Sequence, residues 1–398
     1  HSLNNAIMSS AKIYVNAWDS ISAVGRDAKL KQALLNGETG KLTPLHDIVD
    51  KTIYFGKIPD HLITTTDDIR ATFHNVKDLY LGRGNCIAAT LAQSLAGQVN
   101  VLTEQYGRHR VGIVIGTSVA GMTETEQEFL QNPLTDYSDA CQLEIFNPAR
   151  LLQTLFNLTA PAYCISTACT SSTKALASAA RLIEADIVDA VICGGIDAMS
   201  LFTIKGFHSL GVLSDKPCHP FGKHRNGINL AEAGALFILS KTPSEIALTG
   251  WGETSDAYHI SSPDPQAQSV CHAIEQAMAM ANVDRLDYVN AHGTATIAND
   301  AMEALAIARS YPAGTPISST KALTGHALGA AGALEAAICC HVLTQNFIPG
   351  NFSVDSLDTE LAPINLVQTG YHVKDIRHVS SHNFAFGGNN AVLIFSRS

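Results

Sequence analysis

Ten short runs of β-branched and apolar residues, separated by helical patterns, constrain this chain more than any other feature. They occupy 12–17, 111–116, 163–167, 190–194 and 235–240, then 247–252, 288–292, 316–319, 379–383 and 391–396. Between them, 87–96, 170–184, 267–280, 301–309 and 330–345 carry apolar residues at helical spacing. Strands alternating with helices of this length predict βαβ units and parallel sheet. The two parts also resemble each other. Tyr163-Cys-Ile-Ser-Thr-Ala-Cys169-Thr-Ser-Ser is a short strand feeding a polar turn and a small-residue helix, and Pro316-Ile-Ser-Ser-Thr-Lys321 repeats that design. A weak internal repeat of this kind predicts a pseudo-twofold body, with halves 8–242 and 243–398 meeting near Thr242-Pro243-Ser244. Segments 40–85 and 117–150 are polar and aperiodic and read as insertions, expected to cap the site or contact partners.

Composition narrows the class. At 398 residues the chain is too long for one ordinary core. With 46% hydrophobic and 16% charged residues it is too apolar for disorder. A net charge of −10 argues against a dedicated nucleic-acid or anionic-membrane binder. Nine scattered cysteines without a C-x-x-C pair support neither a zinc ribbon nor a redox motif, and point to a reducing compartment. No uncharged apolar run reaches membrane-spanning length; the nearest, 327–343, carries Glu335 and His341 and reads as a core helix. His1 to Asn5 reads as a tag remnant, with a native start near Met8 and no visible signal peptide. A cytoplasmic protein without membrane insertion is expected.

Four sites carry candidate chemistry. Cys169 follows a strand and precedes a helix, where unpaired N–H groups favour a thiolate and stabilise an oxyanion. Cysteine is also among the most buried residue types, and Cys164 and Cys193 are assigned to that ordinary role. His292, in Asn290-Ala-His-Gly-Thr-Ala-Thr-Ile-Ala-Asn-Asp300, stands at the carboxyl end of a strand, where open α/β sheets place their sites. Lys321 and His326 share a turn entering an Ala/Gly-rich helix. A buried lysine there needs a partner, for which Glu303 is the candidate, in a structural or a functional pair. Finally, Asn383-Phe-Ala-Phe386-Gly-Gly-Asn-Asn390 reads either as an ordinary hairpin or as a mobile loop offering an N–H, with Phe386 closing over substrate. Phosphate loops and metal-ligand spacings are absent, so no metal is expected.

The order of these motifs is more specific than any one of them. T-A-C-T-S-S, H-G-T-x-T-x-x-N-D, K-x-x-x-G-H-x-x-G-A-A-G and F-x-F-G-G-x-N together resemble the β-ketoacyl-acyl carrier protein synthases, of the elongating Cys-His-His type. The likeness is clear from Val111 onward and vaguer before it. It implies a thiolase-like α/β fold: two pseudo-symmetric βαβαβαββ halves in a layered α-β-α-β-α body. It also implies a reaction, in which Cys169 carries an acyl thioester and His292 and His326 stabilise the enolate formed when malonyl carrier protein loses CO₂. Lys321 and Glu303 would order the histidines, and the N–H groups of Cys169 and Phe386 would form the oxyanion hole. Ala385, Gly387 and Gly388 would shape the gate, while Phe384, Thr294 and Thr296 would contact substrate. No dissociable cofactor is implied, because the carrier protein brings phosphopantetheine.

Departures from the family pattern suggest a specialised polyene- or polyketide-type synthase. Gly222 replaces an aspartate, Ala385 a glycine and Asn389 a threonine, and His219 stands where arginine is common. The segment from Gly121 is acidic where relatives present basic residues, which leaves Arg70, Lys77, Lys216 and Lys223 as docking candidates. The expected partners are an acyl carrier protein and a second synthase subunit, in a homodimer or in a heterodimer with a chain-length-factor-like homologue. Two rivals remain: a non-elongating subunit of that factor type, which usually lacks the cysteine, and a thiolase, which normally has a second catalytic cysteine near its C-terminus. This chain has none after Cys340.

Overall fold

The repeat seen in the sequence is a repeat of strand order. The computed structural model describes residues 11–77, 79–133 and 143–398; the expected start at Met8 and Cys141 lie outside the described residues. The first half supplies β1 (Ile13–Ser22), β2 (Val111–Gly116), β3 (Ala162–Ile165), β4 (Ala190–Asp197) and β5 (Ala233–Ser240). The second supplies β6 (Ile246–Ser255), β7 (Tyr288–Asn290), β8 (Pro316–Ser318), β9 (His378–Phe384) and β10 (Asn389–Arg397). In space the first five run β3-β2-β4-β5-β1 and the second five β8-β7-β9-β10-β6, which is the same order. The senses match as well. β2 is parallel to both neighbours and β4–β5–β1 are antiparallel, as β7 and β9–β10–β6 are in the other half.

The halves are not separate sheets. Antiparallel pairing of β1 with β6, Ile13 opposite Leu248, joins them into one hydrogen-bonded surface. It folds over a central pair of helices, α3 (Ser171–Glu184) and α7 (Ala331–Gln345). α1 (Arg83–Tyr106) and α2 (Asn147–Phe156) cover the outer face of the first half. α5 (Gln268–Ala281) and α6 (Ile297–Ser310) cover that of the second. The result is five layers, α-β-α-β-α, with a distinct apolar cluster at each outer helix–sheet interface and one around the central pair.

The central helices account for the low charge content. Every residue of α7 from Ala331 to Leu343 is buried, and Leu328–Gln345, the one described segment apolar and long enough to cross a membrane, is 89% buried within the protein. Small residues let it approach: a Cβ on Gly332 would lie 1.9 Å from Thr173 Oγ1, and one on Gly116 would lie 2.2 Å from the Ser172 nitrogen. Both glycines exist because α3 presses against β2 and α7 at its first turn.

Two readings change. β1 runs to Ser22, past the expected end at Ala17, because polar Asp19 inside it is held by Arg26 and Ser94. The expected insertion 117–150 overlaps α2, which is an outer-layer helix of the fold and packs on α1. Segment 40–85 adds a small sheet, Thr43–Leu45 with Ile53–Gly56 and Leu230–Ala231, over its own apolar cluster. α4 (Leu201–Ser209), absent from the expected helices, lies against that cluster through Ile204 and Phe207.

Candidate active site

The first half delivers the cysteine through a strained turn. Cys169 lies between β3 and α3, directly after Ala168, whose φ of 53° is left-handed and costs a non-glycine residue about 1–2 kcal/mol. Hydroxyls hold the turn in place. Ser171 Oγ donates to Ala168 O (2.6 Å) and accepts from Thr167 N (2.9 Å), and Thr170 Oγ1 donates to Thr167 O (2.8 Å). The Ser/Thr run after the cysteine is therefore a clamp that aims the thiol. Cys169 is buried, and burial pushes its thiol up to about 12, outweighing the pull of Lys321; Asp197 and Glu335 add to the rise. This corrects the expectation of an acidified thiol. The helix N-terminus is present, but desolvation of the sulfur dominates.

The second half brings two imidazoles to the same place. His292 lies two residues beyond β7, and His326 follows the one-turn helix Lys321–Thr324. Their rings are 5.3 Å apart and perpendicular. Burial, reinforced by Lys321, holds both well below the ordinary histidine value, so both rings are neutral. Their tautomers follow from their partners. His326 Nδ1 accepts from Leu328 N (3.3 Å), and His292 Nδ1 lies 3.4 Å from Lys321 Nζ, which can only donate. Each ring thus carries its proton on Nε2. Two neutral N–H donors, side by side, suit a developing enolate oxygen.

The expected Lys321–Glu303 pair does not form. Lys321 Nζ bonds Glu335 Oε2 (2.7 Å) and His292 O (2.6 Å). The α3–α7 packing sets this choice, because it presents Glu335 one turn into α7, where Asn383 Nδ2 holds its other oxygen (2.8 Å). Glu303, on α6, instead accepts from the backbone N–H of His292 (2.8 Å) and Gly293 (2.7 Å). Two separate buried carboxylates therefore brace His292, Glu303 directly at its backbone N–H and Glu335 through Lys321.

The hairpin between β9 and β10 closes the site. Gly387 and Gly388, with φ of 88° and 84°, make its turn, which Ala385 N ties to Asn389 O (2.8 Å) and Gly387 N to Ile260 O (2.8 Å). Phe384 packs against His292 (5.8 Å between centroids) and Phe386 stacks on Phe207 of α4 (5.4 Å). That stacked pair borders two cavities that meet at Cys169. One, of about 320 Å³, is lined by His292, His326, Thr294, Thr296 and Phe384. The other, of about 540 Å³, is more apolar and lined by Val119, Phe202, Gly206, Leu210 and Leu328. The expected Cys169, His292, His326, Thr294, Thr296, Phe384, Ala385 and Phe386 share the first cavity; Lys321 and Glu303 lie behind it. Sequence reasoning missed Phe207, Glu335 and His382. His382 lies two residues before Phe384 in a strand, hence on the same face, and that alternation was the signal.

Residues 50–244 match the model for the N-terminal domain of β-ketoacyl synthases and residues 246–355 the model for their C-terminal domain. The chain belongs to the β-ketoacyl synthase family. Among curated relatives it is 30% identical to the 3-oxoacyl-[acyl-carrier-protein] synthase 2 of Vibrio harveyi, covering 98% of this chain and 99% of that one. The Coxiella burnetii 3-oxoacyl-[acyl-carrier-protein] synthase 2 is 31% identical over 72% of this chain and 75% of its own. Among solved structures, a chain from the complex of a ketosynthase (ApeO) with its chain length factor (ApeC) from Xenorhabdus doucetiae is 34% identical over the whole of both chains, with a TM-score of 0.89.

Departures from the synthase pattern have physical counterparts. A Cβ on Gly222 would lie 2.4 Å from Asp355 Oδ2, so a carboxylate from another segment occupies the space beside the missing aspartate. Asp355 accepts from His224 N (2.6 Å) and Nδ1 (2.8 Å). Arg70, Lys77, Lys216 and Lys223 are all exposed. Lys216 and Lys223 lie within the stretch 212–227, whose ends, Val212, Asn226 and Gly227, line the cavity, whereas Arg70 and Lys77 belong to the added segment 40–85.

Proposed function

We propose that this synthase elongates a carrier-bound acyl chain by decarboxylative Claisen condensation. The single observation that carries the reading is the convergence of a buried thiol with two neutral imidazoles, each protonated on Nε2, at one cavity. In the first step Cys169 sulfur attacks the acyl thioester and its proton leaves with the departing carrier thiol. The raised thiol favours coupling of these events over prior formation of a free thiolate. In the second step the malonyl thioester loses CO₂, and the electron pair becomes an enolate held by the N–H groups of His292 and His326. The enolate carbon then attacks the Cys169 thioester, its oxyanion facing the N–H groups of Cys169 and Phe386. Cysteine sulfur departs and takes up one proton. Net, acyl-Cys169, malonyl thioester and one proton give a 3-oxoacyl thioester, CO₂ and free cysteine. Lys321 and Glu335 keep His292 in the donor tautomer throughout.

The phosphopantetheine arm would enter beside Thr294 and Thr296, and the acyl chain would extend past Phe386 into the apolar cavity, with Lys216 and Lys223 as carrier contacts. Likeness to a chain from a ketosynthase–chain length factor complex supports a heterodimer and a specialised elongation pathway. The retained Cys169 makes this chain the condensing subunit of such a pair, within the halves 8–242 and 243–398. The test is intact-mass spectrometry after incubation with a panel of acyl-carrier thioesters. One acyl adduct, absent in Cys169→Ala, is expected; no adduct with any acyl group overturns the reading.

A further inference from the structure

A third histidine, outside the cavity, completes the frame around His292. His382 of β9 is fully buried, with Nδ1 3.1 Å from Glu303 Oε2 and Nε2 2.7 Å from the hydroxyl of Tyr311. The rings of Tyr311 and His382 also stack, 5.8 Å apart and 21° from parallel. Burial disfavours ionisation of Tyr311, so its hydroxyl keeps a proton to donate to Nε2. Nδ1 then carries the ring proton and donates to Glu303. Glu303 in turn accepts from the N–H groups of His292 and Gly293.

We infer that Tyr311 and His382 are positioning residues for malonyl decarboxylation, acting through Glu303 on the backbone of His292. Three facts carry this. The chain Tyr311–His382–Glu303–His292 is continuous in hydrogen bonds, and its middle members His382 and Glu303 are fully buried, out of reach of water that could replace them. It holds His292 through different atoms from Lys321, which contacts the ring Nδ1 and the backbone oxygen, whereas Glu303 accepts from the N–H groups of His292 and Gly293. Third, the hydrogen bonds that clamp the Cys169 turn are made by Thr167, Thr170 and Ser171 and include none of Tyr311, His382 and Glu303. The two half-reactions therefore depend on different frames, and only one passes through His382.

This inference rests on the proposed condensation, and measuring the two half-reactions separately keeps their failures apart. Self-acylation is read by mass with an acyl-carrier thioester that acylates the parent protein, and decarboxylation by CO₂ release from malonyl-carrier protein. In His382→Leu, decarboxylation is expected to fall about 10-fold or more while self-acylation stays within about twofold. His382→Asn, whose amide N–H can still reach Glu303, is expected to recover most of the loss. Tyr311→Phe, which keeps the ring stack and removes the hydroxyl that donates to Nε2, is expected to lower decarboxylation by several-fold with unchanged self-acylation. Parallel loss of both half-reactions, or an unchanged ratio in Tyr311→Phe and His382→Leu alike, overturns the inference. If His382→Leu does not fold, Tyr311→Phe and His382→Asn decide it by the same ratio. A parent protein inactive in both half-reactions instead refutes the proposed condensation.

Discussion

Replacing Lys321 with methionine strikes the buried electrostatic frame at its centre. Methionine keeps the apolar stem and removes donors to Glu335 Oε2 at 2.7 Å, His292 O at 2.6 Å and His292 Nδ1 at 3.4 Å. Glu335 is 2% exposed, so its carboxylate loses its cation where no water replaces it. Removing one partner of a buried pair costs about 3–5 kcal/mol, and urea unfolding is expected to show a loss in that range. The bond from Asn383 to Glu335 survives, which holds the cost inside the range. Adding Glu335→Leu removes the stranded charge, and the double variant is expected to be more stable than the sum of the single losses by about 2 kcal/mol. Decarboxylation is not expected to return with it, because His292 has lost the donor that sets its tautomer. A single-variant cost below about 1 kcal/mol, the range of exposed pairs, refutes the reasoning. So does restored decarboxylation in the double variant.

Other consequences are independent of that pair. Because burial pushes the Cys169 thiol up to about 12, its alkylation by iodoacetamide is expected to rise about tenfold per pH unit from pH ~6 to ~9; a plateau near neutrality contradicts this. Protein stopped and digested at each pH gives the rate by mass spectrometry. The depressed pKa values of His292 and His326 keep both rings neutral as pH falls through the ordinary histidine value. Decarboxylation is therefore expected to persist below pH ~6.5 in single-turnover CO₂ measurements, whereas loss there in a single step refutes the neutral assignment. Gly332→Val places atoms where Thr173 Oγ1 already lies 1.9 Å from a Cβ position, and is expected to cost about 3 kcal/mol or more in chemical unfolding. Phe207→Ala removes the ring stacked on Phe386 and opens one cavity to the other, so self-acylation should shift toward longer acyl thioesters; an unchanged preference argues against the gate.

Much of this was legible in the sequence, for physical reasons. All ten strands were visible as short apolar runs, most plainly the fully buried Val111–Gly116, and Pro316–Ser318 was recognisable despite its shortness because Gly and hydroxyl residues punctuate it. Motif order placed the cysteine and both cavity-facing histidines. Partner choice inside the core was not legible. Glu303 and Glu335 stand at comparable sequence distances from Lys321, and only the crossing of α3 with α7 decides that Glu335 meets it. The thiol's state was misread for a related reason: a helix N-terminus can be seen in sequence, but the depth at which it is buried cannot. Tyr311 was hidden because it lies after the end of α6, and its hydroxyl acquires meaning only when β9 brings His382 within 2.7 Å.

The central claim is that one thiol stores the acyl chain and the paired imidazoles beside it supply the nucleophile that removes it. The direct measurement is a chase: protein carrying one acyl group on Cys169 is isolated, given malonyl-carrier protein, and followed by intact mass and product analysis. The acyl adduct is predicted to disappear with release of one CO₂ per adduct and formation of a carrier-bound 3-oxoacyl chain two carbons longer. An adduct that persists, or that leaves as free acid while CO₂ is released independently, contradicts the account.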